Sequence, residues 1–376
     1  MSGSEVALLS VFVSTIVASA LLFAVIVVKA VHRRRMRSFE RRYAGYLRLL
    51  AQQVAVKNPR RRLEFGVVAD PAFLDALIDL RQTVKGPEVE RLDGLVDELG
   101  LVAHQEKLLH RRWPPTKRFR AAVALAEMGD DSSSATLIGA LDDRHPEIRV
   151  QAARGLARMG HRPAIEYILQ RLGAETQWVR ARFGDTLIRF GNAATEPLVR
   201  YLRAGATLAD PEGAVEAIRI LGDAGDPEAG PALLDALLHA THSEVRLAAT
   251  AALGRVGGPT AAPIVLAAFD TGGWRLRTRA AHALGELGDP IALPRLERAL
   301  SDSDWWVRRN AAAALAKLPG GITVLYASLA SKDAFARDAA AEALAAAGAI
   351  AESRRRAEAG IARTDDLRLL ALVEAT

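Results

Sequence analysis

The chain has 376 residues, half of them hydrophobic and only 5% aromatic, and it contains no cysteine. The missing thiols exclude disulfides, thiolate nucleophiles and Cys-ligated zinc, and the scarcity of β-branched runs after the first thirty residues favours close-packed helices. The formal charge of +6 does not point to nucleic acid, because residues 29–62 carry 12 Lys or Arg against the single acid Glu40 and the rest of the chain is net acidic.

Residues Val6 to Val28 form the one long stretch without a charge. As a helix they reach about 34 Å, enough to cross a bilayer core of about 30 Å. Lys29, Arg33, Arg34, Arg35, Arg37, Arg41 and Arg42 follow the stretch, whereas only Glu5 precedes it. The positive-inside rule therefore predicts a single-pass anchor in the cell membrane, with the N-terminus outside and everything past residue 30 cytoplasmic. A cleaved signal peptide is the rival reading: Ala18-Ser19-Ala20 resembles a cleavage site, but the basic n-region is missing. The anchor and its basic flank take up residues 1–36. Arg33, Arg34, Arg35, Arg37, Arg41 and Arg42 are expected to face anionic lipid head groups. Ser10, Ser14 and Ala18 recur every four residues, a small-residue spacing that permits packing in lipid against another protein or a second copy.

Residues 37–62 are predicted to form an amphipathic basic helix. Phe39, Tyr43, Tyr46, Leu47, Leu50 and Val54 fall at helical spacing opposite a basic face, so the helix lies on the bilayer or against a partner, and Asn58-Pro59 ends it. Residues 63–113 read as a helical cap, in which Asp70-Pro71 caps a helix bearing Phe73, Leu74, Leu77 and Ile78 on one stripe. Gly86-Pro87 and Gly100 punctuate two further short helices before Pro114-Pro115.

From residue 114 the chain repeats itself. Arg118, Arg149, Arg180, Arg246, Arg277 and Arg337 each precede a glycine by 11 positions, namely Gly129, Gly160, Gly191, Gly257, Gly288 and Gly348. Arg308 keeps the arginine but has Pro319 at the glycine slot, and Gly225 keeps the glycine but has Ala214 at the arginine slot. These eight copies, 29 to 34 residues apart, predict an all-α fold: an α-solenoid of about eight helical hairpins over residues 114–350, preceded by one transmembrane helix and closed by a helical cap over residues 351–376. The glycine is expected to turn the chain in a left-handed conformation between the two helices of each hairpin. Alanine pairs such as Ala152-Ala153, Ala280-Ala281 and Ala311-Ala312 let neighbouring hairpins approach closely.

"EVRLAATAALGRVGGPTAAPIVLAAF" and "RLRTRAAHALGELGDPIALPRLERAL" resemble HEAT repeats, in particular the short bacterial kind called phycobilisome-lyase-like. The resemblance implies that the repeated arginine is structural, pairing with an acidic group near the preceding turn or in the next unit. It also brings enzymes into view. HEAT-like diiron hydroxylases use His-Glu dipeptides as ligands, and this sequence has none, since His145, His161 and His282 are followed by Pro146, Arg162 and Ala283. His239 and His242 lack an accompanying acid in a metal motif and flank a turn, so neither a metal nor a cofactor is expected.

Four of the five tryptophans, Trp178, Trp274, Trp305 and Trp306, stand two or three positions before an arginine slot. Each either plugs the gap under its own turn or, with Arg180, Arg275, Arg279 and Arg309, joins a Trp/Arg strip of the composition that interface hot spots favour. The reading that follows is a non-catalytic membrane-anchored scaffold or accessory subunit binding a protein at the cytoplasmic face. The partner expected is an integral membrane enzyme, and the layout resembles bacterial accessory subunits of membrane glycosyltransferases in polysaccharide synthesis. A membrane-tethered adaptor for a soluble signalling or cytoskeletal protein is the alternative, and a HEAT-like lyase the third. Self-association through the membrane helix stays open, and nucleic acid is not expected as a partner.

Overall fold

A computed structural model describes residues 3–55, 65–110, 112–206, 209–258 and 260–374, with the side chains of residues 3–19, 65–66, 206 and 372–374 outside the description. Among the described residues there are 21 α-helices and no strand. They divide into two compact units, Met1–Ala140 and Leu141–Thr376.

The first unit contains α1 (Gly3–Ala55), α2 (Pro71–Thr83), α3 (Pro87–Glu98), α4 (Leu101–Leu109), α5 (Pro115–Met128) and α6 (Ser134–Ala140). Asp70 caps α2 as its sequence predicts, its Oδ1 accepting the Ala72 N–H at 3.0 Å with Pro71 in the first turn. The apolar stripe of residues 43–54 turns out differently from expectation. It belongs to the unbroken helix α1 and is covered by α2: Leu50 and Val54 share a core with Phe73 and Leu77, and the Tyr46 ring meets Phe73 edge-on at 5.4 Å. Tyr43 donates to Asp79 at 2.6 Å, and Tyr46 donates to Asp70 at 3.1 Å. The stripe is therefore occupied by the chain itself and not by lipid or a foreign partner. Arg42 is likewise engaged, pairing with Asp70 at 3.0 Å, while Arg33, Arg34, Arg35, Arg37 and Arg41 remain exposed. Among the described residues no helix is long and apolar enough to cross a membrane. Of the predicted span, residues 6–19 have side chains outside the description, Ser10, Ser14 and Ala18 included, and residues 20–28 are helical and exposed.

In the second unit seven hairpins follow one another: α7 (Pro146–Arg158) with α8 (Ala164–Leu172), α9 (Gln177–Arg189) with α10 (Thr195–Tyr201), and α11 (Pro211–Ala224) with α12 (Gly230–His239). Next come α13 (Ser243–Val256) with α14 (Ala261–Thr271), α15 (Trp274–Leu287) with α16 (Leu293–Ala299), α17 (Trp305–Lys317) with α18 (Gly321–Ser328), and α19 (Ala334–Ala346) with α20 (Ala349–Glu358). A last helix, α21 (Thr364–Glu374), ends the chain as described. With α5 and α6 these make eight hairpins between residues 115 and 358, and α1 to α4 and α21 are helices beyond what eight repeats require.

First helices stack on first helices, and the recurring Leu-Gly pairs Leu221-Gly222, Leu253-Gly254 and Leu284-Gly285 explain how closely. A Cβ on Gly222, Gly254 or Gly285 would lie 2.9 Å from the Cα of Ala252, Ala283 or Ala314 in the next hairpin, so glycine faces alanine along the stack. At the turn slot, Gly160 and Gly288 take left-handed φ of 68°, and Gly191, Gly225, Gly257 and Gly348 also lie at positive φ. Gly129 departs from the expected conformation: its φ is −64°, and glycine is needed there for room, because a Cβ would sit 2.4 Å from the Leu125 carbonyl oxygen. Where Pro319 replaces the glycine, Gly320 takes over one position later at φ 83°.

The arginine slot closes the turn between hairpins. Most of these side chains reach back five or six residues, and Arg246 nine to Leu237 O at 3.2 Å, to carbonyls that the preceding helix leaves without donors. Arg118 donates to Trp113 O at 2.6 Å, Arg149 to Asp143 O at 2.8 Å, Arg180 to Glu175 O at 2.9 Å, Arg308 to Asp302 O at 2.8 Å and Arg337 to Ser331 O at 2.9 Å. Three of them also take a carboxylate further along the chain: Arg149 holds Glu175 in the following turn, Arg180 holds Glu212 of the next hairpin, and Arg277 grips both oxygens of Asp302 in the following turn at 3.0 and 2.9 Å. Burial pushes the Asp302 carboxyl up, but Arg277 and the Asp304 N–H outweigh it and hold the group below its ordinary value of 3.8.

Arg277→Ala is expected to cost about 2–3 kcal/mol in chemical denaturation, because it strands carbonyls and a half-buried carboxylate, whereas the nearby exposed Arg279→Ala changes stability by less than about 0.5 kcal/mol. The depressed folded-state value of Asp302 means that its contribution is present above its unfolded value and lost as pH falls through the folded one. Asp302→Asn should therefore be less stable than the parent at neutral pH and show a shallower decline in stability under acid, as followed by unfolding midpoints across a pH series.

Candidate functional site

The four tryptophans sit in the first turns of α9, α15 and α17 because the inward position beside them is already taken. Val179, Leu276 and Val307 point into the stack and are buried, which leaves the flanking indoles outside. At α17 the cap fixes this: Asp304 Oδ1 accepts the N–H groups of Trp306 at 2.9 Å and Val307 at 3.3 Å. Trp178, Trp274, Trp305 and Trp306 are 49, 48, 46 and 50% exposed. Half an indole in water forgoes apolar burial, and the exposed indoles recur at the same place on α9, α15 and α17.

Trp274, Arg275, Arg279 and Trp306 line one groove of about 310 Å³ across α13, α15 and α17. Leu247, Thr278, His282 and Asn310 complete it. Arg275 is paired across hairpins with Glu244 at 2.9 Å, but Arg279 has no carboxylate partner among the described residues. Asn310 donates to Trp306 O at 2.8 Å, which leaves its amide oxygen available to a ligand. Burial, then the charges of Lys317, Arg279 and Arg255, push His282 below its ordinary value of 6.5 against the opposing pull of Glu286, so it enters the groove as a neutral imidazole at neutral pH. The groove thus offers two indole walls, one free guanidinium and amide and imidazole hydrogen-bonding groups, with no acid among its lining residues.

The remaining candidates fall elsewhere. Trp305 meets Trp306 edge-on at 4.6 Å and carries Arg309 over its ring at 5.2 Å, and Arg309 also approaches Glu342 at 3.5 Å, which places this pair beside the groove. Trp178 stands on α9, away from the groove lining. Arg180 is corrected from contact residue to scaffold, since its guanidinium is spent on Leu172 O, Glu175 O and Glu212. Thr278, His282 and Asn310 were absent from the sequence candidates. Their signal is four-residue spacing from Trp274 and Trp306, visible only once the groove-facing side of α15 and α17 is known.

Among the described residues, no group of three or more His, Asp or Glu side chains is arranged to hold a metal ion. His239 pairs with Asp235 at 2.8 Å on an exposed turn.

The repeated hairpin, its arginine-closed turn and its small-residue stacking agree with the family model for HEAT repeats, which matches residues 103–188, 195–277 and 272–345. The chain belongs to the HEAT-repeat family. The match begins within α4, ahead of the start at residue 114 expected from the arginine spacing. No curated protein sequence matches the chain.

Among solved structures, this HEAT-repeat chain is similar to the karyopherin Kap121p bound to the extreme C-terminus of the protein phosphatase Cdc14p: 14% identity over 86% of this chain and 42% of that one, with a TM-score of 0.52. It is also similar to human deoxyhypusine hydroxylase, at 23% identity over 69% of this chain and 99% of that one with a TM-score of 0.29. The complex of CpcE and CpcF of phycocyanin lyase from Nostoc sp. PCC7120 gives 20% identity over 64% and 94% with a TM-score of 0.33. At these identities the karyopherin likeness speaks to fold alone.

Tryptophans that lie half exposed outside the stack predict a separation of effects. Trp274→Ser and Trp306→Ser should each change the unfolding free energy by less than about 1 kcal/mol, whereas Leu315→Ala, at a fully buried position of the same α17, costs about 2–5 kcal/mol. Denaturant titrations of the three variants check this.

Proposed function

We propose that this HEAT-repeat protein is a non-catalytic scaffold that holds a partner protein through the groove across α13, α15 and α17. The observation that carries the reading is the coincidence, on two successive hairpins, of two half-exposed indoles with Arg279, a cation that has no carboxylate partner among the described residues. Trp and Arg are the residues that dominate binding energy at protein interfaces, and a groove between them provides the desolvated seat that hot spots require. A repeat stack suits this task because neighbouring hairpins present equivalent positions side by side over a long surface.

The finer reading is of a single-pass membrane protein with its N-terminus outside and its repeats in the cytoplasm. The uncharged run Val6 to Val28 and the exposed arginines at 33–35, 37 and 41 support it. Confinement to the bilayer would raise the effective concentration of a partner in the same membrane. The partner we favour is an integral membrane enzyme, with a glycosyltransferase of polysaccharide synthesis as the specific candidate. That candidate is supported by the resemblance in layout to bacterial accessory subunits.

Affinity purification from mild detergent tests the proposal, with co-purifying proteins identified by mass spectrometry. The full chain is expected to retain a multi-pass enzyme that is lost when residues 1–30 are removed. The combined variant Trp274→Ala, Arg279→Glu, Trp306→Ala should lower its recovery at least about tenfold, equivalent to about 1.4 kcal/mol of binding. Undiminished recovery by the folded triple variant would contradict the groove, and retention of one soluble protein with or without residues 1–30 would replace the membrane enzyme with a cytosolic partner.

A further inference from the structure

The first unit contains a second cavity, of about 290 Å³, between α2, α4 and α5. That size is at the lower end of small-ligand pockets, which span about 300–1,000 Å³. Leu74, Leu108 and Trp113 give it apolar walls. Gln105 is the exception. It is 2% exposed, it lines the cavity, and its side-chain amide makes no hydrogen bond among the described residues. Its amide opens onto the cavity, whereas Leu101 and Leu109 bury apolar side chains elsewhere on the same helix. A hydrogen-bonding group held in the cavity can pair with it there.

The charge around the cavity is one-sided. Its single acid, Asp70, is fully committed, accepting from the Ala72 N–H at 3.0 Å, from Arg42 at 3.0 Å and from the Tyr46 hydroxyl at 3.1 Å. His104 contributes no charge at neutral pH, because burial and then Lys107 push it below its ordinary value of 6.5. At the rim, Lys117 rests its ammonium 4.6 Å from the Trp113 ring centre and has no carboxylate partner among the described residues. Arg120 stands beside it, near Asp75.

We infer that this cavity binds a small amphipathic anion: a hydrocarbon body against Leu74, Leu108 and Trp113, a carboxylate met by Lys117 and Arg120 at the rim, and a second hydroxyl or carbonyl group hydrogen-bonded to the Gln105 amide. The site lies wholly in the first unit and does not depend on the groove across α13, α15 and α17. A ligand of this class has hydrocarbon to bury, and its anion is attracted to a cation already preorganised over an aromatic face.

The test is equilibrium dialysis of the full chain in lipid nanodiscs against radiolabelled 10-hydroxydecanoate, with binding to empty nanodiscs subtracted. One saturable site per chain is expected, with decanoate weaker because it lacks the second polar group and decyltrimethylammonium at least tenfold weaker because its charge is reversed. Lys117→Glu, a change on the exposed rim, should weaken 10-hydroxydecanoate at least tenfold without altering the thermal midpoint. Leu74→Trp fills the cavity and should abolish binding, and Gln105→Leu should remove the advantage of 10-hydroxydecanoate over decanoate. No saturable binding, equal binding of the cationic probe, or unchanged binding by folded Lys117→Glu would overturn the inference.

Discussion

Every hairpin in this repeat array ends by leaving helix carbonyls at a turn that the next hairpin covers, and the structure depends on one recurring donor to satisfy them. The arginine in the first turn of most first helices reaches back to those carbonyls and, at Arg149, Arg180 and Arg277, forward to a carboxylate of the next turn or hairpin. A guanidinium suits both tasks because its five donors are held in a planar fork. Lysine offers a point charge and would satisfy fewer of them. With the turn fixed, the small residues of the first helices come into contact: Gly254 faces Ala283 and Gly285 faces Ala314 at separations that leave no room for a Cβ.

The indole-lined groove follows from the same geometry. Once Val307 and Leu276 are directed into the stack by the register of the arginine, their neighbours must face outwards, and where those neighbours are tryptophan the surface gains indole area. Most of the nearby charges are neutralised between hairpins, as in Arg275–Glu244 and Lys317–Glu286. Against that background Arg279 is the exception in the groove, and an unpaired guanidinium beside two indoles gives the groove its polarity. The first unit is held by different means, with Tyr43, Tyr46 and Arg42 of α1 docking on the carboxylates of α2 over a shared apolar core.

How much was legible in the sequence depended on whether the controlling interaction was local. The repeat period, the Asp70-Pro71 cap and the buried stripe of α2 are written in spacings of a few residues, and the structure contains them. The stripe from Tyr43 to Val54 was readable as a face that must be covered, but periodicity carries no information about what covers it, and α2 lies some thirty residues away. Gly129 matched the repeat pattern yet serves close approach, because the residues that crowd it, Leu125 and Ser133, are fixed only by the fold. His282, Asn310 and Gln105 could not be singled out, since a polar residue at helical spacing becomes a site residue only when neighbouring helices close a groove or cavity around it.

The central claim is that the Trp274–Trp306 groove is the partner surface of a scaffold whose arginines are internal. Hydroxyl-radical footprinting of the full chain, alone and with its co-purified partner, tests it at the side chains themselves. The account predicts that oxidation of Trp274 and Trp306 falls at least about fivefold in the complex while the equally exposed Trp178 stays reactive. Unchanged reactivity of Trp274 and Trp306, with protection appearing on the second helices of the hairpins instead, would contradict it.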